Sequence, residues 1–121
     1  MRKIICITTY PPRECGIATF AQDLIRAILS KFGDSYSIKI CAVESDTEQH
    51  TYTEDVEYVL NTSDVSAYAA LTRQLNENSE VKMVLVQHEF GLYAAQEEAF
   101  LQMLQQLLKP VILVFHTVLS Q

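Results

Sequence analysis

Apolar residues follow two rhythms along this chain. Short, mainly apolar runs, Lys3-Ile4-Ile5-Cys6-Ile7, Val81-Lys82-Met83-Val84-Leu85-Val86 and Val111-Ile112-Leu113-Val114-Phe115, have the length and content of strands covered on both faces. Between them apolar positions recur three or four residues apart, which predicts helices. The first helix spans Ile17 to Phe32, with Ile17, Phe20, Leu24, Ile28 and Phe32 as its inner stripe, and stops near Gly33. A second strand is predicted from Tyr36 to Val43 and a short third from Val56 to Leu60, joined by a polar, acidic loop from Glu44 to Asp55. Asn61-Thr62-Ser63-Asp64 offers capping oxygens to a second helix lined by Val65, Tyr68, Thr72 and Leu75, which frays at Asn76 to Ser79. A third helix is predicted from Ala94 to Leu108, with Phe100, Leu104, Leu107 and Leu108 inward, ended by Lys109-Pro110.

The elements thus alternate strictly, with one helix missing between strands two and three. Right-handed crossovers then make an α/β three-layer sandwich: a parallel sheet of five strands in the order 3-2-1-4-5, with helices on both faces. In such sheets ligands lie outside the carboxyl ends of the strands, where the strand order reverses. Here the reversal falls between strands one and four.

Composition narrows the classes of partner. A chain of 121 residues makes one domain. Its net charge of −6 argues against nucleic-acid binding, which needs a basic face for phosphates. No apolar run approaches the ~20 residues of a membrane span, and Met1-Arg2-Lys3 precedes too short an apolar stretch for a signal peptide. Cys6, Cys15 and Cys41 are odd in number and far apart, without metal-ligand spacing. They read as reduced cysteines of a cytosolic protein.

Candidate chemistry collects at three predicted strand ends. The first loop, Pro11-Pro12-Arg13-Glu14-Cys15-Gly16, leads into the first helix. Gly16 either lets a ligand approach the partly positive helix end or merely permits the turn. Arg13 has the geometry to grip a phosphate or carboxylate, or it is a solvated loop residue. His88-Glu89 follows the fourth strand and His116-Thr117 the fifth. Each histidine is a ligand-contacting group or a hydrogen-bonded edge residue. His50, between Gln49 and Thr51, reads as solvent-exposed. The chain has no G-x-G-x-x-G, no Walker loop and no serine nucleophile elbow. Thr8-Thr9-Tyr10 stands where a phosphoacceptor domain has acidic residues, and Cys15 is a weak candidate nucleophile.

Three stretches, Thr9 to Phe20, Val86 to Tyr93 and Phe115 to Leu119, resemble in order and placement the amino-terminal domain of retaining GT-B glycosyltransferases, nearest to the large family four. The resemblance runs over essentially the whole chain. It implies a Rossmann-like domain that receives the acceptor and faces a second such domain holding most of a nucleotide-sugar. It also implies transfer of a hexose, as in mannosyl- and glucosyltransferases, to a hydroxyl acceptor, with no metal and no cofactor beyond the nucleotide-sugar co-substrate. In that frame Gly16, Ile17 and Arg13 approach the donor phosphates and sugar. His116 hydrogen-bonds the transferred sugar as the catalytic-site histidine, with Thr117 beside it, and His88 and Glu89 line the acceptor side. The first loop has one glycine where many relatives have two.

The sequence ends after the fifth strand, before the family's paired-glutamate motif. The expectation is therefore a truncated amino-terminal domain, inactive alone, completed by a carboxyl-terminal domain in cis or trans, and prone to self-association through its exposed sheet edge. Two other readings remain: a free-standing flavodoxin-like phosphate- or nucleotide-binding module, and an interaction subunit of a split enzyme.

Overall fold

The computed structural model describes residues 2–12, 16–33, 35–89 and 91–116. The elements are β1 (Lys3–Thr8), α1 (Gly16–Phe32), β2 (Ser37–Glu44), β3 (Val56–Asn61), α2 (Val65–Glu77), β4 (Val81–Glu89), a 3-10 turn (Ala94–Gln96), α3 (Glu97–Gln106) and β5 (Val111–His116). All four strand pairings are parallel, and the order is β3-β2-β1-β4-β5, as the crossovers predict. No helix among the described residues is long and apolar enough to cross a membrane.

Alternation along each strand builds two cores. Ile5, Ile7, Cys41, Val43, Leu60, Val84 and Val86 face α2 and α3, which supply Tyr68, Leu71, Leu75, Phe100 and Met103. Ile4, Cys6, Ile38, Ile40, Ala42 and Leu85 face α1, which supplies Ala21 with Leu24, Ile25 and Ile28 at its flanks. Cys6 and Cys41 are free thiols in these cores. Burial pushes the Cys6 thiol up to about 12 and Cys41 up as well, so neither is a nucleophile near neutral pH. Cys15 lies outside the described residues.

Several predicted inner faces are shifted. On α1 the buried residues are Ile17, Ala18 and Ala21, whereas Phe20 and Phe32 are exposed, Phe20 by 45%. The alanines let the helix sit close on the sheet, and the larger rings turn to its sides. Val65 is exposed because it is the first residue after the cap, where Asp64 accepts a hydrogen bond from the Ser66 amide at 3.0 Å. Leu108 is 82% exposed because α3 stops at Gln106 and Leu107 is already extended. Asn76 closes that end: its Nδ2 donates to the Gln106 carbonyl at 3.0 Å and its Oδ1 accepts from the Leu108 amide at 2.8 Å.

The β2–β3 loop is pinned to the carboxyl end of β1. The Tyr10 hydroxyl donates to Asp55 Oδ2 at 2.6 Å, and Tyr52 donates to Glu44 at 3.1 Å. His50 is half-buried, 3.2 Å from Glu48 and packed edge-on to Tyr52, and so is not the fully exposed residue expected. Its neighbours are Glu48 and Tyr52 of the same acidic loop, which folds back on itself around the ring.

Candidate functional site

At the carboxyl edge, α1 leaves β1 for one face of the sheet while α2 and α3 cover the other. A crevice at such a divergence needs no special residues; the topology makes it. Thr8 and Thr9 are buried at its floor. Gly16 opens α1, and a Cβ added there would meet nothing within 4 Å among the described residues. Its φ is not in the left-handed region, unlike that of Gly91 at +86°. Gly16 is therefore required neither by packing nor by backbone strain among those residues. The side chain of Ile17 is buried, which leaves its backbone as the group that could meet a ligand. Arg13 and Thr117 lie outside the described residues.

β4 extends past its predicted end at Val86 to Glu89, because β5 pairs with it through His88↔Phe115 and Glu89↔His116. Consecutive residues there point to opposite faces, and this separates the two histidines. His116, in the last register position of β5, lies on the α1 side with the Phe20 ring edge-on at 5.0 Å. Its Nε2 is hydrogen-bonded to the side-chain oxygen of Gln87. Gln87 is wholly buried, and its amide nitrogen has no hydrogen-bond partner among the described residues.

His88 lies on the other side, against Tyr93, Phe100 and Phe115 at ring distances of 5.6, 5.5 and 5.4 Å. Tyr93 stacks on Phe100 at 3.9 Å and donates its hydroxyl to the Gln87 carbonyl at 3.0 Å. A pocket of about 240 Å³ opens beside His88, lined by Tyr93, Phe100 and Leu101 with Glu97 at its side. This surrounding is apolar, and it places His88 among aromatic rings instead of beside His116.

Glu89 contributes to a different space. A pocket of about 410 Å³ is lined by Glu44, Ser45, Thr62, Ser63, Glu89 and Gly91, with Val43, Leu92 and Ala95 as its apolar wall. Two carboxylates and three hydroxyls, with no basic lining residue among the described residues, suit a hydroxyl-bearing or cationic group better than a phosphate. No cluster of three or more metal-ligating side chains occurs among the described residues.

Of the predicted site, the structure thus brings His116 to the α1 side and Glu89 to a polar pocket, and it sets His88 apart. Sequence reasoning gave Gln87 no role of its own. The available signal was parity: a glutamine two residues after the inward Leu85 must share its face, under α1. No family model matches the chain, and no curated protein or solved structure matches it significantly.

Proposed function

We propose that this domain is the acceptor-side, amino-terminal part of a retaining glycosyltransferase of the GT-B type. It transfers a hexose from a nucleotide-sugar to a hydroxyl acceptor together with a second Rossmann-like domain, in cis or trans, and is inactive alone. The observation that carries the reading is His116 at the end of β5, anchored on buried Gln87 on the side of the sheet that α1 covers. The three motif stretches that resemble the family supply the rest.

On this reading His116 hydrogen-bonds the transferred sugar. The backbone amides at Gly16 and Ile17, with Arg13 and Thr117, meet the donor's sugar and diphosphate. Glu89 and the hydroxyls of its pocket receive the acceptor. His88 is the aromatic-lined wall next to that side. The domain's contribution is positioning and stabilisation of departing negative charge, without a protein nucleophile or a metal. A phosphate-binding module is less well supported, because the described lining of the 410 Å³ pocket carries two carboxylates.

The test uses the protein at the length its own cells make, captured with an antibody to this segment. Incubation with a panel of nucleotide-hexoses and hydroxyl acceptors is expected to give transfer with the sugar's anomeric configuration retained. Absence of transfer from every donor, or tight nucleotide binding by the 121-residue chain alone, would overturn the reading.

A further inference from the structure

We infer that Gln87 is a positioning residue that holds His116 as the Nε2–H tautomer and so turns a bare Nδ1 lone pair toward a ligand hydroxyl. The inference deepens the reading of His116 given above and rests on it for the identity of the ligand. A carboxamide oxygen can only accept, so the imidazole nitrogen that faces Gln87 Oε1 must carry a proton. A neutral ring has one such proton, which leaves Nδ1 as an acceptor. Among the described residues Nδ1 has no partner.

Gln87 is well held for this task. Its side chain is fully buried, and its carbonyl takes the Tyr93 hydroxyl at 3.0 Å from the opposite face of the sheet. Tyr93 is in turn stacked on Phe100. A buried amide nitrogen without a partner among the described residues is unfavourable. An apolar side chain would fill the same space without that loss, so among those residues the bond to His116 is what the glutamine side chain supplies. A glutamine also carries no charge. A carboxylate there would favour the imidazolium, whereas the amide orients the ring without adding a charge. A bare nitrogen accepts from O–H and repels a phosphate oxygen. The group that meets Nδ1 is therefore a hydrogen-bond donor, which on the reading above is a sugar hydroxyl and not a diphosphate oxygen.

The experiment is NMR on the chain with ¹⁵N-labelled histidine, at a pH where the rings are neutral. Wild-type protein is expected to show a protected His116 Nε2–H proton and an unprotonated Nδ1. In Gln87→Leu that proton should exchange at least ~10-fold faster, while the melting curve shows that the fold persists. If that variant does not fold, Gln87→Glu decides: a carboxylate in place of the amide favours the imidazolium, so the ¹⁵N shift of His116 Nδ1 should move toward that of a protonated nitrogen, Glu89 beside it being common to both proteins. An Nδ1–H tautomer in the wild type, or no response to either variant, overturns the proposal. A responsive Nε2 proton in a protein that transfers no sugar would uphold the Gln87–His116 pair and remove the sugar hydroxyl from it. Transfer without a protected proton would uphold the enzyme and remove the pair.

Discussion

Two neighbouring strand positions, His88 on β4 and His116 on β5, meet opposite surroundings. His88 is ringed by Tyr93, Phe100 and Phe115 on the α2–α3 side. His116 holds to one buried amide on the α1 side, with Phe20 at its edge. Pleat parity produces the difference, since the register aligns His88 with Phe115 and Glu89 with His116. The same residue type at the same edge therefore serves packing in one place and presents a polar nitrogen in the other. The comparison can be broken by asking which side carries stability and which carries chemistry.

The largest stability effect should come from the aromatic side. Phe100→Ala removes the ring stacked on Tyr93 and in contact with His88, and should cost about 3–5 kcal/mol in denaturant unfolding. A loss under 1 kcal/mol would mean that this cluster is not core.

Next comes the clamp beneath the crevice. Burial alone would raise the Asp55 carboxyl, but hydrogen bonds from Thr53 and Tyr10 outweigh it and hold the group below its ordinary value. A depressed carboxyl gives stability that is present above its unfolded value, near 3.8, and is lost as pH falls through the lower folded one. Tyr10, pushed up to about 12 by burial and then by Asp55, behaves in the opposite sense. Its contribution is complete below about pH 10 and fades as pH rises toward 12. Asp55→Asn should cost about 1.5 kcal/mol at pH 7 and flatten the acid limb of a melting-temperature profile. An unchanged acid limb would remove this clamp from the account.

Smaller still is the effect of His116→Ala on stability, expected below about 1 kcal/mol because the ring is only partly buried and loses one hydrogen bond. The least effect belongs to Leu108→Ser, within about 0.5 kcal/mol, since that side chain is exposed beyond the end of α3. Thermal melts of both variants beside Phe100→Ala would rank all three.

Strand order was legible because mainly apolar runs and the near-regular alternation of elements leave few right-handed arrangements. The Asp64 cap was legible from its residue type and place. Helix faces were less so: Phe20 and Leu108 fit the apolar period, but packing closeness at Ala18 and Ala21 and the early stop of α3 decide burial. The site was read only in part. His88 and His116 were both visible as polar residues near strand ends, yet their separation depends on β4 continuing to Glu89. That continuation is set by pairing with β5, a partner distant in sequence. Gln87 stayed hidden because an uncharged residue next to a histidine and a glutamate draws no notice until its burial is known.

The most direct test of this account is sugar transfer by the protein captured from its cells, measured for His116→Ala and His88→Phe side by side. The account predicts that His116→Ala loses at least ~10²-fold in rate with its fold intact, while His88→Phe, at the wall beside the acceptor, loses much less. Equal losses in both variants, or full activity in His116→Ala, would contradict it.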